Sequence, residues 1–130
     1  MWDGWPISRV IVLFAAMASL LIFIQVTLFH YRQNFRHWAM WGPVLTTPII
    51  GLLLLALVFY NISILKTVTG IFCALGVLSG LVGFGFHVEG VGERVAGYRM
   101  QNFLVGPPVI LPLMVAAIST LGLIGLYWRY

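Results

Sequence analysis

Charge is what this chain has least of. Seven Lys or Arg and three Asp or Glu make up 8% of its 130 residues, where a soluble domain carries about 25%. A water-soluble fold of this length cannot cover so much apolar surface, so lipid or partner protein must cover it. The formal net charge is +4, but the basic residues are scattered and stand at the ends of apolar runs. That is the pattern of membrane anchoring, not of a nucleic-acid footprint. A single cysteine, Cys73, excludes an internal disulfide and reads as a small packing residue inside an apolar run. There is no Gly-rich phosphate loop, nucleophile elbow, Ser/His/Asp set, His-x-x-x-His or paired-cysteine spacing. Hydrolysis, group transfer and a bare metal-ion site therefore lack support. Nor does any apolar run carry a charge in its middle, where ion pumps and secondary transporters bury their ionisable groups.

What the chain does have is long apolar runs. They predict an all-α, four-span membrane bundle with long loops on one side, a single membrane domain over 1–130. The spans fall at about 8–29, 43–60, 64–87 and 107–128. The start, Met1 to Pro6, lacks a basic n-region, so the first run is expected to stay in place as a span.

The third run is the organising one. From Thr67 to Phe86 twenty residues carry no charge, and as a helix they extend about 30 Å, the thickness of a hydrocarbon core. The run is rich in glycine, at 70, 76, 80, 83 and 85, which a lone helix gains nothing from. At about 100° per residue, Cys73, Gly76, Gly80 and Gly83 share a face with His87. That stripe, with its Gly76-x-x-x-Gly80 pair, predicts close helix contact, within the chain or between chains. In the first run Ala16, Ser19, Phe23 and His30 share a face, and Gln25 points elsewhere.

Two connections carry most of the polar residues. Residues 31–42 hold Arg32, Arg36, His37, Trp38 and Trp41 and read as an interfacial segment at headgroup level. Residues 88–102 hold Glu89, Glu93, Arg94, Tyr98 and Arg99, and their three glycines predict an ordered loop and no stable helix. Glu89, Glu93 and Arg94 read as a salt-bridge set pinning that loop. Pro107-Pro108 stops any helix from extending upstream of the fourth span.

Four spans place both termini and the Asn61 turn on one side, and His30, His37, His87 and both glutamates on the other. Lys and Arg divide three (Arg9, Lys66, Arg129) against four (Arg32, Arg36, Arg94, Arg99), so the positive-inside rule leaves only the free amino terminus to favour cytoplasmic termini. Trp38, Trp41, Arg94, Tyr98 and Arg99, with Gly76 and Gly80, are the candidate docking residues for other integral subunits or a peripheral protein; the same tryptophans would serve as plain membrane anchors.

The pattern resembles the small four-helix membrane proteins that bacteria use as accessory or anchor subunits, and that resemblance implies the inner membrane. The expected function is a non-catalytic integral subunit of a larger membrane complex, with an electron-transfer complex as the parent. One alternative is a haem b- or quinone-binding subunit with His30 and His87 as the cofactor residues, given spans one and three parallel and adjacent. Another is an oligomeric small-molecule channel or carrier built around the glycine stripe.

Overall fold

The computed structural model describes residues 1–128; the Arg129-Tyr130 part of the expected terminal anchor lies outside the described residues. Four long apolar helices form the fold expected from the sequence, α1 (Ile7–Arg32), α2 (Trp41–Phe59), α3 (Ser63–Arg94) and α5 (Ile110–Tyr127). A 3-10 turn at Trp38–Met40 precedes α2, and a short helix, α4 (Met100–Val105), lies between α3 and α5.

The bundle closes as a ring in which α1 packs on α2, α2 on α3, α3 on α5 and α5 on α1. Adjacency of the first and third spans is thus corrected, because α1 and α3 stand diagonally across the bundle. The reason lies in α5, whose narrow face of Ala116, Ser119, Gly122 and Gly125 is buried and fits between them. A Cβ at Gly125 would lie 3.0 Å from Val12 Cγ2, and one at Gly122 would lie 3.0 Å from Cys73 Sγ. On the facing helix, a Cβ at Gly80 would lie 2.6 Å from both the Ala116 nitrogen and the Pro112 carbonyl oxygen. The backbones of α3 and α5 therefore touch, which offsets the propensity lost at each glycine, about 0.5–1 kcal/mol. Gly76 and Gly80 accordingly belong to a contact inside the chain.

The α1 core face repeats at helical spacing through Val12, Ala15, Ala16, Ser19, Ile22, Val26 and His30, all buried. Gln25 is exposed, as its wheel position predicts. On the terminal side, the helix end of α2 is covered by the chain's own beginning. The Trp2 indole donates to the Leu57 carbonyl at 2.7 Å, and the Arg9 guanidinium donates to the Val58 carbonyl at 3.0 Å. Both take up carbonyls that the last helical turn leaves without a partner.

Two helix ends differ from expectation. The loop predicted for 88–102 is helical up to Arg94, so α3 has 32 residues and is about 48 Å long. Gly90 and Gly92 do not break it because packing overrides propensity there. Gly90 lies under the Pro107 ring, Gly92 under the Tyr98 phenol, and Val91 between them is fully buried. The helix ends with Ala96 at φ +60 and the Gly97 amide bonded to the Gly92 carbonyl at 3.1 Å, a Schellman closure. α1 closes the same way, with Asn34 at φ +54 and the Phe35 amide bonded to the His30 carbonyl at 3.1 Å. That closure turns Phe35 back against the helix it has just left.

Candidate functional site

A half-enclosed cavity of about 770 Å³ opens at the histidine-bearing end of the bundle. Val26 of α1 and Leu111 and Val115 of α5 line its apolar part, and Arg32, Arg36, Glu89, Glu93 and Arg94 line its rim. A concave apolar space with a few convergent polar groups is the usual form of a small-molecule site.

His30 and His87 meet here, although their helices are diagonal. Their ring centres are 6.4 Å apart, with planes inclined at 68°. His30 reaches the cavity from the last full turn of α1 and is only 8% exposed. Its Nδ1 is buried and makes no geometrically formed hydrogen bond, with the Met40 backbone the polar group beside the ring. The Schellman turn sets Phe35 edge-on to this ring at 6.4 Å, and Trp41 stacks on Phe35 at 4.2 Å. His87 does not close its helix as the run boundaries suggest, since two further turns of α3 follow it. Its Nδ1 lies 2.8 Å from the Pro108 carbonyl oxygen. Pro107-Pro108 ends the α4 segment without a helix, which leaves that carbonyl outside any helical ladder.

The third histidine has another task. The Nδ1 of His37 accepts from the Ala39 amide at 3.2 Å and so caps the 3-10 turn. Its ring lies 5.3 Å from Phe86 and 5.8 Å from Trp38, joining the first connection to α3.

The expected ion-pair set takes a different form. Among the described residues no ion pair joins Glu89 or Glu93 to Arg94. Arg94 instead donates to the Gln33 side-chain oxygen at 3.4 Å, and Arg36 donates to the same oxygen. On a helix continuing to Arg94, the two glutamates are exposed, and water solvates them more cheaply than ordered long side chains would.

The docking residues are spread along the rim. Trp38 is 79% exposed, and Trp41 is exposed but held by Phe35. Tyr98 lies over Gly92 and 6.3 Å from Phe103, while Arg99 stands exposed at the start of α4. Sequence reasoning missed Gln33, which gathers two arginines, and Pro108, which orients His87. The Pro-Pro signal was visible; what its carbonyl would face was not.

These features define a four-helix, membrane-spanning bundle with a histidine-lined cavity at one face. No family model, no curated protein and no solved structure matches the chain.

Proposed function

We propose that this chain is an integral subunit of a larger membrane complex, in the bacterial inner membrane, that holds a small amphipathic molecule in the cavity at its histidine-bearing end. The observation that carries the reading is the 770 Å³ cavity, on whose wall His30 and His87 meet between an apolar floor and a charged rim. A buried nitrogen left unpaired, as at His30, costs about 1–3 kcal/mol. A plain scaffold would gain by having an apolar residue at that position. The rim supports the subunit part of the reading, because Trp38, Tyr98, Met100 and Leu104 present large exposed apolar surface outside the spans. An electron-transfer complex is the proposed parent, and its chemistry would fall to other subunits or to the bound group.

The test is extraction of the native chain in mild detergent, followed by mass spectrometry of co-purifying proteins and of solvent-extracted small molecules. The expected result is a defined assembly and one non-lipid molecule per chain, lost on His30→Ala. A monodisperse chain carrying only bilayer lipid would overturn the reading.

A further inference from the structure

Gln25 is the polar residue of the first span that the bundle does not use. It stands four residues before Phe29, where the apolar run ends, so it lies about 6 Å inside that end. Side chains lean toward the N-terminus of their helix. That of Gln25 therefore leans away from the nearer headgroup layer and toward the middle of the bilayer. It is exposed on α1 and is not part of the cavity wall. Among the described residues no hydrogen bond engages its amide.

Other outward polar groups in the spans are satisfied at home. The Thr27 hydroxyl donates to the Phe23 carbonyl at 2.7 Å, Thr46 to Gly42 at 2.9 Å and Thr120 to Ala116 at 2.8 Å. Each uses a carbonyl one turn back in its own helix. A glutamine amide brings two N–H donors and an accepting oxygen, and hydrocarbon pairs with none of them. An exposed Leu or Phe is at ease in lipid; an exposed amide is not, and marks a face that meets protein.

The residues around it form a seam. Phe14, Ala18, Leu21, Gln25 and Leu28 recur at spacings of four, three, four and three, within about 40° of one direction on the helix. All are exposed except Ala18, which is half-buried. That repeat is the contact line of two helices crossing at a shallow angle, with Leu21 and Leu28 flanking the amide and the small Ala18 permitting approach. Arg32, next on the line, stands beyond the apolar run, where headgroups and salt screen it.

We propose that this face of α1 packs against the same face of a second copy of the chain, about a twofold axis along the membrane normal, with the two Gln25 amides bonded to each other. A primary amide is its own complement. Each N–H donates to the other's carbonyl oxygen, so one residue supplies both halves of an isologous contact. The axis keeps both copies in one orientation and brings residue 25 of each to the same depth. The face points away from the ring of helices, so the pairing is independent of what fills the cavity.

The test is disulfide trapping in native membranes. Leu21→Cys and Leu28→Cys keep the amide, and each full-length variant should give an oxidised product of twice the chain mass. Leu81→Cys, exposed on α3, should give none, nor should the wild type, whose Cys73 is buried. Adding Gln25→Leu to either seam variant should remove most of the product. In detergent, native mass spectrometry should show a dimer that Gln25→Leu weakens about tenfold and that Gln25→Asn, which keeps an amide, largely retains. Because Gln25 is exposed, both variants should keep the wild-type circular dichroism. Trapping of a different protein by the seam cysteines would assign the amide to another subunit and overturn the self-pairing. A wild type that stays monomeric in lipid, or a dimer indifferent to Gln25→Leu, would overturn it equally.

Discussion

The Nδ1 of His87 and the carbonyl oxygen of Pro108 meet at 2.8 Å across 21 residues of chain. The bond ties α3, two turns before its end, to the segment that leads into α5, where Pro107 and Pro108 interrupt the helix. His87→Ala should leave the Pro108 carbonyl without its donor and lower stability by about 1–3 kcal/mol. His87→Asn should recover most of that loss. Thermal unfolding of the two variants in one detergent separates them.

The seam between α3 and α5 makes a sharper prediction. A methyl at Gly80 would meet backbone atoms of α5, which cannot turn aside, so Gly80→Ala should cost about 1–3 kcal/mol. Gly85 has nothing within 4 Å of the same position. Gly85→Ala should be neutral or should stabilise by up to about 1 kcal/mol. Equal effects from the two substitutions, read by thermal unfolding, would rule out the close approach of these helices.

Gly76 faces the hydroxyl of Ser119 and the Cδ1 of Ile50, the latter 2.6 Å from a Cβ built there. Gly76→Ala should therefore destabilise, and Ser119→Gly should restore part of the loss. The double-mutant cycle should show a coupling of about 0.5–3 kcal/mol. A coupling near zero would mean that Gly76 does not face α5.

Ala96 holds a left-handed conformation at φ +60 in the closure of α3. An L-residue there costs roughly 1–2 kcal/mol over glycine, so Ala96→Gly should raise stability by about 1 kcal/mol. At the equivalent place in α1, Asn34 already tolerates φ +54. Asn34→Val should destabilise α1 at this end and release Phe35 from His30, which hydrogen exchange of the Phe35 amide would report.

Arg9 serves three groups at the opposite face. It donates to the Gly4 and Val58 carbonyls and covers the Trp5 ring at 4.0 Å. Arg9→Ala should cost about 1–2 kcal/mol. Arg9→Lys should recover only a fraction, since one ammonium lacks the planar fork. Thermal unfolding of both variants checks this.

Periodicity carried the helices and their inward faces. Ala16, Ser19 and His30 on α1, and Cys73, Gly76 and Gly80 on α3, are buried as their spacing predicts. The partner of each face was not legible, because every span here is apolar all round and only shape distinguishes one contact from another. The α5 small residues Gly122 and Gly125 held the missing information: two narrow faces on one helix mark it as the wedge between two neighbours. The extent of α3 was misjudged because glycine propensity was weighed without the Pro107 and Tyr98 rings that cover Gly90 and Gly92. At the site, both histidines were visible as residues. Their meeting depends on a diagonal arrangement, and the orientation of His87 depends on a carbonyl whose direction no side-chain pattern encodes.

The position of α5 also bears on how the chain assembles. α1 and α2 pair with each other and α3 rests on α2, so three spans can associate as they emerge in order. Until the last one arrives, the part of the α3 glycine face around Gly80, and the strip of α1 that Gly125 comes to cover, lack their protein partner. Closure of the ring, and with it the wall of the cavity formed by Leu111, Pro112 and Val115, waits on the last span. A chain stalled before that event would present its small-residue groove to the membrane, where quality-control proteases and unassembled neighbours would compete for it.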